Sequence, residues 1–254
     1  MFRTQSSCGW LRGDGSWLDR DGSGDDPGFD YQALTTSLGG QAEVADDWFL
    51  GGALAWERGR LDQDDSGTRA DGDAYLGAVS LKRELGPWTL TGAADLGWGD
   101  YDSDREIVVG TARETASGSP DTFNAGLHAR AAYQIPRGAW YAEPALEVDL
   151  VYVRVDGYTE SGAGDFDLKV DSADTLVATG TPWLRLGRRV DFSQGVTLDT
   201  FVSAGVSLST GQDLDTDAPL ADPPSGAGDF TTRLDRPGAV ARLSAGLDLY
   251  ASDR

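Results

Sequence analysis

Cysteine, histidine and methionine each occur rarely: one Cys, one His and one Met in 254 residues. A single cysteine, Cys8, excludes an internal disulfide. A single histidine, His128, leaves one candidate for the base of a hydrolytic triad. No run of about 18 apolar residues occurs, so no transmembrane helix is expected. The opening "MFRTQSSCGWLRG" lacks an apolar segment, so no signal peptide is read there. The chain is then either cytosolic or a piece of a longer precursor. Basic residues are few: 21 Lys and Arg stand against 42 Asp and Glu, for a formal charge of -21. That balance argues against nucleic acid as a partner, because phosphate binding needs basic surface. Apolar residues make up 39%, low for a conventional core of this size, whereas Gly is plentiful at 34. Gly and β-branched residues interrupt every candidate helical window.

What the chain does have is alternation. In "PWTLTGAADLGW" every second residue from Trp88 is apolar: Trp88, Leu90, Gly92, Ala94, Leu96 and Trp98. The intervening Thr89, Thr91, Ala93, Asp95 and Gly97 are small or polar, so this is a strand with one oily and one wet face. The pattern recurs in "WFLGGALAW", "FNAGLHARAAY", "WYAEPALEVDLVY", "VTLDTFVSAGVSL" and "VARLSAGLDLY". It is less clean over 74–82 and 175–187, and weaker over 9–18 and 30–40. The count is about ten strands of roughly 9–13 residues, the length of a tilted membrane strand. Long and short connections alternate, with acidic residues gathered near the long ones and Lys82, Arg83, Arg137, Arg188 and Arg189 in the short turns. This predicts an all-β fold, an antiparallel up-and-down transmembrane β-barrel with unequal ends.

The tryptophans at both ends of one oily face are explained by a bilayer. Ten residues at about 3.3 Å, tilted by about 40°, project to roughly 25 Å, the height of a lipid-facing band. Amphipathic rings gain most at its two boundaries. Trp48, Trp56, Trp88, Trp98, Phe123, Tyr133, Trp140 and Tyr152 are therefore expected at the membrane interface. The opposite faces place Asp95, Arg130, Glu143, Glu147, Asp149, Arg185, Asp199, Arg242 and Asp248 toward a hydrated lumen. Arg130, Arg185 and Arg242 are candidate partners for the carboxylates there. A soluble sandwich or lipocalin-like barrel also alternates, but would turn its oil inward.

Catalysis is not expected. His128 reads as a polar lumen residue beside Arg130, and Glu143, Glu147 and Asp149 hydrate a wall more simply than they hydrolyse a glycoside. "DRDGSGDD", residues 19 to 26, has the carboxylate and Gly density of a calcium loop but lacks the closing Glu of an EF-hand, so a solvated loop is the default. Cys8 reads as incidental, ahead of the first strand. Neither a cofactor nor a phosphate-binding loop is expected.

Taken in order, "WLRGDGSWLDRDG", "LGGALAWERGRL", "YAEPALEVDLVYVRVDGYTESGAGDFDLKV", "WLRLGRR" and "RLSAGLDLY" resemble the translocator β-domain of autotransporters, the type V secretion proteins of Gram-negative bacteria. The resemblance runs from about Trp10 to Tyr250. It implies a twelve-stranded outer-membrane barrel that supports secretion of an N-terminal passenger. Outer-membrane lipid and the barrel assembly machinery would be its partners. It also implies a pore-threading helix before the first strand and two further strands after the last. On that comparison residues 1–9 are an N-terminal remnant, and 10–254 a barrel domain truncated at its C-terminal end. The alternative is a non-secretory outer-membrane barrel, a small channel or an adhesin with acidic extracellular loops. A soluble β-rich domain is the third reading.

Overall fold

The computed structural model describes residues 7–22, 28–63, 67–192, 196–210, 214–217, 219–221, 231–234 and 238–251. Ten strands form one continuous sheet. They are β1 (Cys8–Arg20), β2 (Phe29–Ala45), β3 (Trp48–Gln63), β4 (Thr68–Leu85), β5 (Trp88–Val109), β6 (Asp121–Tyr133), β7 (Trp140–Val155), β8 (Ala173–Asp191), β9 (Val196–Thr210) and β10 (Ala239–Ala251). Each pairs antiparallel with the next, so the sheet is an up-and-down meander that curls into part of a barrel. Among the described residues helix is limited to one 3-10 turn, Gly164–Phe166.

The strands are longer than the expected 9–13 residues: the shortest of the ten has 13 and the longest 22. The excess lies on the long-loop side, where alternation fades because both faces are polar. There β5 runs on to Val109, and Ala112–Gly118 folds back against it through a turn at Gly110 (φ 64°). Residues 100–121, one of the long connections between the alternating stretches, are therefore mostly a hairpin rather than loop. β3 and β4 likewise stay paired out to Gln63 and Thr68, and Leu214–Asp217 pairs with Thr231–Leu234. Cys8 is the first residue of β1, opposite Gln41, rather than a residue ahead of it. Residues 23–26 of the acidic "DRDGSGDD" stretch and most of the connection after β9 lie outside the described residues.

At the other end, two residues separate β2 from β3 and β4 from β5. Such tight hairpins need positive φ, met here by Asp47 (63°) and Gly86 (61°). Gly138 (62°) does the same before β7. A tryptophan follows each turn at once: Trp48, Trp88 and Trp140.

Burial is inverted relative to a water-soluble domain. Leu54 is 62% exposed and Val79 61%, whereas Thr181 and Ser207 are each 2% exposed and Asp199 is 4%. Curling crowds the polar side chains and spreads the apolar ones. An exposed Leu in water forgoes on the order of 1 kcal/mol or more of burial, so a full wall of them calls for a solvent other than water.

Candidate functional site

The polar wall is built from register. His128 on β6 lies opposite Ala93 on β5 and Asp149 on β7, and Asp95 lies opposite Gly126. The His128 ring therefore bridges two strands: Nδ1 is 2.7 Å from Asp149 Oδ1, and Nε2 is 2.5 Å from Asp95 Oδ1. Gly126 leaves the room, since a Cβ there would strike both the Asp95 carboxylate and the imidazole. Asn124 Nδ2 donates to the other Asp95 oxygen at 3.2 Å. Both ring nitrogens face carboxylates and neither is offered to a hydroxyl, so this is not a Ser–His–Asp relay.

One strand step away, Arg130 Nη2 donates to Glu143 Oε1 at 3.0 Å, and its Nε lies 3.2 Å from Glu147 Oε1. Glu147 Oε2 also accepts from Trp183 Nε1 at 2.6 Å. Nearer the short turns, Arg189 Nη2 donates to Asp199 Oδ2 at 2.9 Å, with side chains 8% and 6% exposed. The Tyr141 hydroxyl donates to the same carboxylate at 3.1 Å, and its ring occupies the space over Gly187. Toward the long loops, Glu57 accepts from the Tyr31 hydroxyl at 2.8 Å and from Thr35 at 2.6 Å.

All nine residues expected on the polar side share one face of the sheet. Arg242 sits opposite Gly205, and Asp248 opposite Asp199, on that face. Among the described residues the expected pairing with carboxylates is seen for Arg130 but not for Arg185, whose guanidinium lies 4.2 Å from the Phe201 ring centroid. Arg189, assigned to a short turn, is an inward strand residue. Glu57, Tyr141, Trp183 and Arg189 were missed. The signal for Trp183 and Arg189 was available in strand parity, since both fall in phase with Arg185.

The eight expected aromatics form two rows on the apolar wall. In the row toward the long loops Trp56 faces Tyr75, Tyr75 faces Trp98, and Trp98 faces Phe123. The Phe123 and Tyr152 rings continue it, 6.5 Å apart. The row at the short turns holds Trp48, Trp88, Tyr133 and Trp140, with Trp88 and Tyr133 in edge contact at 4.9 Å. Tyr75 is an added member, overlooked because Gly77 breaks the pattern beside it.

Charge differs between the two ends. Beyond the long-loop row, Arg58 pairs with Asp71 and Asp73 (3.5 and 3.6 Å), and Arg154 with Asp156 (2.7 Å). Arg60 and Arg69 both bond Asp62, at 2.8 and 2.6 Å, and hold its carboxyl down to about 2. The "DGYTE" loop also folds in here. Glu160 is 7% exposed, takes two bonds from Arg105, and accepts the Leu168 amide at 2.9 Å. Burial, then the nearby Glu160 charge, pushes the Tyr158 hydroxyl up. At the short turns, Arg83 lies 4.7 Å from the Trp48 ring centroid and Arg188 5.6 Å from that of Trp140. Among the described residues no carboxylate is within ion-pair distance of Arg83, Arg137 or Arg188. No trio of His, Cys, Asp or Glu among the described residues could hold a metal ion.

Two solved structures share the fold. The β-domain of the Bordetella autotransporter BrkA is 20% identical, with 96% of this chain and 98% of that one covered and a TM-score of 0.60. The translocator domain of NalP from Neisseria meningitidis is 16% identical, with 96% and 84% covered and a TM-score of 0.63. Among curated proteins, the esterase EstA of Pseudomonas aeruginosa and that of Pseudomonas putida are each 26% identical over 167 residues, 64% of this chain. The chain spans about a quarter of the length of these relatives, 26%. The autotransporter beta-domain profile matches residues 9–254, nearly the whole sequence, and the chain belongs to that family.

Proposed function

We propose that this chain is the translocator barrel of a type V secretion protein, and that its polar wall lines the hydrated route past the membrane. The family is one of outer-membrane β-barrels of Gram-negative bacteria, and a β-domain of this kind implies an attached passenger. The observation that carries the reading is the inverted burial, bounded by two aromatic rows. Asp95, Arg130, Glu143, Glu147, Asp149, Arg185, Asp199, Arg242 and Asp248 would line the lumen, with Asp199 shielded from its water beneath Arg189 and Tyr141. The eight expected aromatics and Tyr75 would sit at the two lipid boundaries. Outer-membrane lipid and the barrel assembly machinery would be the other partners.

We assign no catalysis to this domain. The name esterase belongs to relatives that the match covers by about a quarter, 26%. The single histidine of this chain is committed to two carboxylates.

The test uses the chain refolded into phospholipid vesicles, with Cys8→Ser as background and single fluorophores at Val79→Cys and Ser80→Cys. The expected result is quenching by a lipid-borne nitroxide at 79 and by aqueous iodide at 80. Iodide quenching of both, or a chain that stays soluble without vesicles, would overturn the reading.

A further inference from the structure

We propose that the short-turn side of the apolar wall binds an anionic phospholipid, with the headgroup phosphate on Arg83 and an acyl chain in the hollow beside it. This rests on the barrel reading and adds a ligand that the reading alone does not require. The hollow has a volume of about 490 Å³. Gly92 and Ala129 form its floor, Leu81, Leu90 and Val148 its sides, and Trp48 with Arg83 its end toward the turns. A second hollow of about 830 Å³ lies nearer the other row, among Leu54, Leu96, Leu127 and Tyr152, and no cation lines it. Both can receive hydrocarbon, but one alone offers a positive charge where a chain would meet its headgroup.

The charge pattern selects an anion. In a chain of net charge -21, the outward arginines Arg58, Arg60 and Arg154 at the far end each hold a carboxylate. Arg83 holds none among the described residues. Its guanidinium instead lies over Trp48, with 4.7 Å to the ring centroid. A cation–π contact consumes none of the five N–H donors of the guanidinium, so they stay available for a planar, two-pronged contact with phosphate. Arg188 on Trp140 repeats the arrangement farther along the same end, and Arg137 adds a third cation there. A second copy of this chain packed on the same wall with its short turns alongside would bring arginine against arginine, which disfavours that occupant. A neutral lipid would leave the guanidinium facing only a zwitterion.

The experiment compares wild type, Arg83→Gln, Arg83→Lys and, from the opposite end, Arg58→Gln. Each is refolded into dodecyl maltoside micelles, checked for the folded form by its mobility shift on heating, and given equimolar phosphatidylglycerol and phosphatidylcholine. Retained lipid is counted by native mass spectrometry. Wild type and Arg58→Gln should retain phosphatidylglycerol in preference by about tenfold, equivalent to about 1.4 kcal/mol. Arg83→Gln should fall below about twofold, and Arg83→Lys, which keeps the charge without the planar edge, should lie between. Equal retention of the two lipids by wild type, an unchanged preference in Arg83→Gln, or dimer masses in place of lipid adducts would overturn the proposal. Failure of wild type to insert into vesicles would overturn the barrel reading and this inference together. Insertion without lipid preference would remove this inference alone.

Discussion

The two ends of the sheet solve the same problem, keeping charged strand ends in register with a boundary, in opposite ways. At the long-loop end the strands overrun the aromatic row and the arginines are neutralised by neighbouring carboxylates, mostly in the open. At the short-turn end the strands stop within two or three residues, the outward arginines rest on indole rings, and the acidic partner of Arg189 is buried behind them. The first arrangement tolerates water and change. The second is compact, and each of its groups depends on a neighbour.

Removing a carboxylate from each end should expose that difference most strongly. Asp199→Ala leaves Arg189 charged and shielded, with an expected loss of about 3–5 kcal/mol. Asp73→Ala, at an ion pair with Arg58 whose side chains are 59% and 36% exposed, should cost no more than about 1 kcal/mol. Urea midpoints in phospholipid vesicles measure both, and equal losses would erase the distinction between the ends. Between the rows, Val79→Arg places charge in the middle of the apolar wall and should cost about 2–4 kcal/mol, while Ser80→Arg on the opposite face should cost much less.

The long-loop end should also come apart locally. Glu160→Gln weakens the contact with Arg105 and the Leu168 amide, by about 1–3 kcal/mol for a charged hydrogen bond. Trypsin cleavage after Lys169 should accelerate severalfold while the urea midpoint of the sheet stays put. A shifted midpoint would show that the loop and the sheet unfold as one.

The smallest effect concerns acid. Asp62 has a folded value of about 2, below that of an unfolded carboxylate, because Arg60 and Arg69 donate hydrogen bonds to it. Its contribution is therefore complete above about pH 4 and is lost as pH falls toward about 2. Arg69→Gln removes one donor and should raise the midpoint read from the Asp62 carboxyl carbon by NMR. An unmoved midpoint would assign the effect to Arg60 alone.

The strands and the faces of the aromatics were legible because a period of two survives wherever one side meets oil. That is why Trp88 to Trp98 could be read as a span, and why Asp95, Arg130 and Asp149 were put on one side. Past the oil the period loses its meaning, so the continuation of β5 through "DYDSDREIVV" looked like loop. The His128 bridge was hidden for another reason. It needs the register of three strands at once, and nothing local to "GLHAR" says which carboxylates will stand across from it. Arg189 was misplaced because Arg188 and Arg189 are adjacent and only the parity of β8 decides that one lies on Trp140 and the other reaches Asp199.

The tryptophan that follows each tight turn has a consequence for how such a molecule can change. Because Trp48, Trp88 and Trp140 are tied by sequence to the turns themselves, and Trp56, Trp98 and Tyr152 follow further along the same strands, both aromatic rows are set before the long loops begin. Insertions on the far side lengthen a hairpin without shifting them. The loops can therefore diversify, residue by residue, while the two rows keep their places on the strands.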